Sequence, residues 1–241
     1  MNDPKARGGV RRYLDKVEPE EYLPDLGEVD ITELSFTALC DLYGSDKGTI
    51  KHNYSIIYER IFGRLIAASS HNRKECVLHI AEAGVACGAS LRAMSAYLPS
   101  SIIYGYDIRP ECAHLCSDAK NIHIIVKDPS TMTPDPNVVD MFIDDASHIS
   151  EDIVHNFRNC WRWVKPGGYY VIEDLRCTYS PAYTREFNET FGKSALNDRQ
   201  AIMAMIDELM RTVDAKGEVA EFNYYPQLLV VRKASESTIV G

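Results

Sequence analysis

An α/β fold, with a doubly wound and mostly parallel sheet that ends in an antiparallel hairpin, is what this sequence predicts, and three observations carry the expectation. Apolar runs alternate with amphipathic stretches from Cys76 onward, at residues 77–81, 102–106, 122–126, 138–143 and 169–172. The runs are near-continuous in hydrophobicity, which suits parallel strands covered on both faces. The last two, 219–224 and 228–232, are joined so tightly at Tyr225-Pro226 that they must run antiparallel.

The elements follow in order. Residues 1 to about 28 hold Gly8-Gly9 and three prolines and show no period, so they read as an arm. Asp30-Ile-Thr-Glu33 has capping-box spacing, and Ile31, Leu34, Ala38, Leu39 and Leu42 continue at helical intervals. The polar stretch 44–49 breaks that helix. A second helix carries Tyr54, Ile57, Tyr58, Ile61, Phe62, Leu65 and Ile66 on one stripe. Between the strands, helical patterns fall at 89–98, 110–119 and 151–164, which is the alternation of a doubly wound sheet. The segment between Pro129 and Pro136 predicts a short or irregular crossover, and a long helix at 198–213 precedes the hairpin. Residues 1–75 therefore form an arm with helices, and 76–241 one sheet domain.

Bulk properties narrow the function. With 26 basic against 35 acidic residues the net charge is −9, so the surface repels phosphate backbones and nucleic acid is an unsuitable partner. No apolar run approaches the roughly 20 residues needed to cross a bilayer, and the N-terminal residues lack a secretory apolar region. Seven scattered cysteines, an odd number, read as reduced thiols of a cytoplasmic protein. Cys112, His114, Cys116 and His123 suit one helix face better than a zinc knuckle.

Two groups of residues carry chemistry. The first follows the opening strand, in Glu82-Ala-Gly-Val-Ala-Cys-Gly88-Ala-Ser90. Gly84 permits a sharp turn and Gly88 opens a helix whose free N–H groups favour an anionic group, such as a methionine carboxylate. Asp107 lies 25 positions after Glu82 at the end of the second strand, placed to accept both hydroxyls of a ribose. Asp128 ends the third strand, within reach of an adenine edge. The second group is Asp144-Asp145-Ala-Ser-His148 and Glu173-Asp174, each after an apolar strand. Carboxylates converging at adjacent strand ends repel one another unless a cation lies among them, and all-oxygen ligands favour Mg²⁺ or Mn²⁺. Asp145, Glu173 and Asp174 are the expected ligands. His148 has the intrinsic pKa of a general base. Tyr54, Tyr58, Arg176 and Tyr179 flank the same pocket as candidate substrate contacts; His52 is open, and His79 and His155 read as structural. The parallel sheet with its final hairpin is the Rossmann-like layout of class I methyltransferases, which favours S-adenosylmethionine over a nicotinamide cofactor.

The quoted motifs, with Tyr43-Gly-Ser-Asp-Lys-Gly48 and Lys165-Pro-Gly-Gly-x-Tyr-Val-Ile-Glu-Asp174, resemble those of macrolide-type and related sugar O-methyltransferases over about residues 38–180. The resemblance implies S-adenosylmethionine, Mg²⁺ at Asp145, Glu173 and Asp174, His148 as base, a sugar or glycoside acceptor, and a homo-oligomer, with a dimer favoured. Catechol-type methyltransferases are similar in spacing but place lysine at the base, so a phenolic diol is the alternative acceptor. A nicotinamide-dependent oxidoreductase is the more distant alternative.

Overall fold

In a computed structural model of the chain, residues 30–69, 71–133 and 135–235 are described. The predicted arm lies outside them. Seven strands form one sheet in the order β3-β2-β1-β4-β5-β7-β6, comprising β1 (His79–Ala83), β2 (Ile102–Asp107), β3 (Ile122–Val126), β4 (Val139–Asp144), β5 (Val164–Ile172), β6 (Val219–Tyr225) and β7 (Leu228–Lys233). The first five are parallel, and β7 runs antiparallel to both β5 and β6. The expected sheet and its closing hairpin are therefore both present. Order reverses between β1 and β4, so a crevice opens above their carboxyl ends.

Six α-helices are described: α1 (Phe36–Leu42), α2 (Ser55–Ser69), α3 (Ala89–Tyr97), α4 (Ser150–Cys160), α5 (Pro181–Phe191) and α6 (Arg199–Asp214). One face of the sheet packs on α1, α2 and α3 through Phe36, Leu39, Tyr58, Phe62, Leu91 and Met94, all essentially without exposure. The other face packs on α4 and α6 through Ile153, Cys160, Ile202 and Leu209, around Phe142, Trp163 and Tyr170. Strand residues with apolar side chains on both faces serve both layers at once. That is why the runs look continuous in sequence.

Four expectations are corrected. The helix expected from Ile31 to Leu42 is divided: Asp30 caps a 3-10 turn at Ile31–Glu33, and Ser35 then caps α1 by accepting from the Ala38 amide at 3.1 Å. Glu33 does not close a capping box but pairs with Lys74 at 2.7 Å. The first strand starts at His79, two residues later than expected, so Glu82 sits inside it. Residues 110–119 are helical only at Pro110–His114, as a 3-10 turn, and Cys116 adopts a positive φ that no helix continues through. Helix α5 was not expected. It has the signals of a helix, Ser180 as cap, Pro181 in the first turn and Gly192 left-handed at its end, and Tyr183, Phe187 and Phe191 make a short aromatic stripe of which Phe187 alone is fully buried.

Backbone pairing carries the strand ends into the crevice. The Asp145 amide donates to Ala83 O at 2.9 Å and the Glu173 amide to Asp144 O at 3.0 Å. Beside them Gly84 has φ of +93°, and a Cβ there would lie 2.0 Å from the Asp145 carbonyl oxygen. Gly84→Ala is expected to destabilise the fold by at least about 2 kcal/mol, since backbone strain and steric overlap both oppose it; chemical denaturation measures this.

Candidate active site

The tips of β1, β4 and β5 bring four carboxylates together, and the cation among them comes from outside the sheet. Lys47 is 1% exposed. Its Nζ lies 2.6 Å from Asp145 Oδ2, 3.0 Å from Glu173 Oε2 and 3.1 Å from Glu82 Oε1. Burial opposes its charge, but Asp145, Glu173 and Glu82 outweigh that and hold the ammonium well above the usual lysine range. The loop that delivers it, between α1 and α2, is folded on itself. The Asp41 carboxylate accepts from the Thr49 amide and hydroxyl, both at 2.7 Å, and Gly48 approaches Asp41 so closely that a Cβ would not fit.

Helix α2 and the residues before it supply two phenols. Tyr58 donates to Glu173 Oε1, and Tyr54 donates to Asp174 Oδ1 at 2.7 Å. The ring of His52 stacks on Tyr54, with its Nε2 3.7 Å from Asp174 Oδ1. His148 Nε2 stands 3.8 Å from Asp145 Oδ1 and 3.9 Å from Asp174 Oδ2, too far for hydrogen bonds. Among the described residues, Asp145, His148 and Asp174 form the one group able to share a metal ion, a ligand atom of each lying within 4.8 Å of the others. His148 and Asp174 both have φ of +53°, the strained left-handed region, which turns their side chains towards the same gap. Burial holds the His148 imidazole below its ordinary pKa, so it is neutral at physiological pH. Tyr183 of α5 backs the ring at 6.0 Å and donates to Ser147 O at 2.8 Å.

Burial, with repulsion from Glu173, lifts Asp145 well above the carboxylate range against the pull of Lys47, and burial lifts Glu173 to about 7. Asp144 faces away, into the core. Asn156 donates to it at 3.2 Å and Tyr170 at 3.4 Å, and burial raises it to about 7. Of the paired acids on β4, Asp145 is thus the one that faces the crevice.

Glu82, Gly84, Gly88, Ser90 and Asp107 lie around the β1–α3 turn, and Asp128 follows β3. Glu82 is fully buried and accepts from Ser90 Oγ at 2.8 and 2.9 Å. Gly88, left-handed at φ +80°, caps α3. Asp107 accepts from the Val85 amide at 3.0 Å and from the backbone and guanidinium of Arg109, whose bonds outweigh burial and hold it below the usual range. Asp128 accepts from the amide and hydroxyl of Ser130, closing its own turn. Arg176 and Tyr179 are both exposed, with the Arg199 guanidinium 4.4 Å over the Tyr179 ring, so neither is drawn into the carboxylate cluster. Cys112 and Cys116 are buried, Cys116 against Gly88. Sequence reasoning gave Lys47 and Tyr183 no role and left His52 open. Lysine is rarely buried, so a polar Gly-Ser-Asp-Lys-Gly stretch reads as a surface break.

Seven strands in this order with one antiparallel edge pair make a class I methyltransferase fold, and residues 81–175 match the family model described as a methyltransferase domain. Over that segment the chain is similar to methyltransferase domains. More particularly, it is 32% identical over 157 residues to an 8-demethyl-8-alpha-L-rhamnosyl tetracenomycin-C 2'-O-methyltransferase of Streptomyces olivaceus, across 61% of this chain and 39% of that one. It is 30% identical over 190 residues to a demethylmacrocin O-methyltransferase of Streptomyces fradiae, across 75% of this chain and 44% of that one. The chain thus spans about two fifths of the length of these relatives. The MycE methyltransferase from the mycinamycin biosynthetic pathway, solved in complex with Mg and SAH, shares the fold with a TM-score of 0.64 at 22% identity, over 84% of this chain and 55% of that one.

Tyr58→Phe leaves a buried Glu173 oxygen without its donor. The variant is expected to lose about 1–3 kcal/mol of stability, read by denaturant unfolding at neutral pH.

Proposed function

We propose that this chain transfers a methyl group from S-adenosylmethionine to a hydroxyl of a sugar or glycoside, with Mg²⁺ (or Mn²⁺) held by Asp145, Glu173 and Asp174 and with His148 as general base. The observation that carries this reading is the convergence of Asp145, Asp174 and His148 on one gap at neighbouring strand tips. The relatives, named as O-methyltransferases of rhamnosyl tetracenomycin and demethylmacrocin, support the acceptor class.

The residues fit the cation. Asp145 Oδ1 and Asp174 Oδ2 both face the gap, and carboxylate oxygens suit a hard divalent ion. Glu173 stands outside the group that shares the gap, its oxygens engaged by Lys47 and Tyr58, and would join the ion through the lone pair each oxygen keeps. When bound, such an ion lowers the pKa of a coordinated hydroxyl. The chain's own residues do the rest. The turn at Gly84 and Gly88 presents the start of α3 to the methionine carboxylate, and Asp107, held rigid by Arg109, faces the ribose hydroxyls. His148, neutral and partly buried, would take the acceptor's proton, while bound S-adenosylmethionine would supply the methyl group from its sulfonium and leave as the thioether. Asp128 is assigned to the adenine edge, and Tyr54 and Tyr58 to the acceptor side through the carboxylates they hold. Tyr179 and Arg176 lie on the exposed approach. A dimer is the proposed assembly, supported by Met203 and Met210, both exposed on one stripe of α6.

The reading is tested with labelled methyl donor against glycosides and phenolic diols. Glycosides are expected to be methylated, and transfer to phenolic diols alone overturns the acceptor class. His148→Ala is expected to lose at least about 100-fold in transfer while keeping its Mg²⁺-induced rise in melting temperature. Loss of that rise makes His148 a metal ligand instead. Asp145→Asn is expected to lose both. The Mg²⁺-induced rise should itself grow from about pH 5 to about pH 8, because the raised carboxyls of Asp145 and Glu173 must shed protons before they bind.

A further inference from the structure

Three carboxylate oxygens, from Glu82, Asp145 and Glu173, surround one point at 2.6–3.1 Å, and the Lys47 ammonium occupies it. The arrangement has the donors of a divalent-cation cage held at the wider spacing of an ammonium, so that among the described residues only Asp145, His148 and Asp174 stand close enough together to share an ion. It lies on the Glu82 side of Asp145, whereas the gap shared with His148 and Asp174 lies on the other, since Asp145 offers Oδ2 to the lysine and Oδ1 towards the imidazole. We propose that Lys47 is a positioning residue: a built-in cation that fills the Glu82–Asp145–Glu173 cage and so confines the metal to the Asp145–Asp174 side, beside His148. This deepens the function proposed above and rests on it.

Several features make the lysine a fixed filler rather than a movable counter-ion. Its side chain is buried, and all three partners stand on strand ends or directly follow them. The Ser55 amide donates to the Lys47 carbonyl at 2.9 Å, tying the residue to the start of α2. Tyr58 takes the remaining oxygen of Glu173, fixing that carboxylate from the same helix. Without the lysine, three carboxylates, two of them fully buried, would face each other with no cation between them. A divalent ion would then be drawn into the cage, away from the base.

The test follows Mn²⁺, whose position and stoichiometry are read without turnover. In the wild-type chain, calorimetry is expected to give one Mn²⁺ per chain, and crystals soaked in Mn²⁺ one anomalous peak on the Asp174 side of Asp145, beside His148. Lys47→Met is expected to show an anomalous peak among Glu82, Asp145 and Glu173, and a larger Mn²⁺-induced rise in melting temperature than wild type. Methyl transfer at saturating metal should fall at least about 100-fold, because the cation is displaced from the base. Adding Glu82→Gln to that variant removes one cage oxygen and should abolish the new peak. Lys47→Arg keeps a cation in place and should retain the single wild-type metal position, a readout that remains if the methionine variant does not fold. The idea is overturned if Lys47→Met binds Mn²⁺ where wild type does, with unchanged stoichiometry, or if Lys47→Arg already moves the metal. A wild-type chain that binds no Mn²⁺ overturns the metal-dependent function instead, while the cage is still read from the cation dependence of Lys47→Met melting.

Discussion

Repulsion among buried carboxylates is the constraint on which the rest of this structure depends. A parallel sheet whose order reverses between β1 and β4 places their carboxyl ends side by side, and here those ends carry Glu82, Asp145, Glu173 and Asp174. Removing several like charges from water at short range is costly unless opposite charge and donors are supplied. The chain supplies one ammonium and two phenols, all from residues 47–58, and leaves one gap beside His148. The loop and helix preceding the sheet are therefore part of the site, although they lie outside the residues that match the methyltransferase model.

Much of this was legible in the residues. The strands are marked by apolar runs whose continuity follows from burial on two faces, and the antiparallel edge by a connection too short for anything else. The juxtaposition of Asp145 with Glu173-Asp174 follows from strand order alone, because both sit one or two residues past strands that pair in register, Asp144 opposite Ile172. Less legible were features that depend on long-range contact. Nothing local tells that Lys47 crosses to three strand tips, or that of two adjacent aspartates the first turns inward to Asn156 and Tyr170. Helix α5 carries only a short aromatic stripe, Tyr183, Phe187 and Phe191, of which Phe187 alone is fully buried.

The division of labour within single carboxylates matters more than their number. Asp145 has one oxygen on lysine and one towards the imidazole; Asp174 has one on Tyr54 and one towards the same imidazole. Each acid is oriented by one oxygen so that the other is aimed. This is how a flexible side chain acquires the directional precision that catalysis by positioning requires.

The contact between Gly84 and the Asp145 carbonyl ties the glycine turn to the tip of β4 with no side chain between them. Two loops that follow different strands therefore share one rigid seam. Any displacement of the first turn is therefore passed directly to the backbone that carries the Asp145 carboxylate.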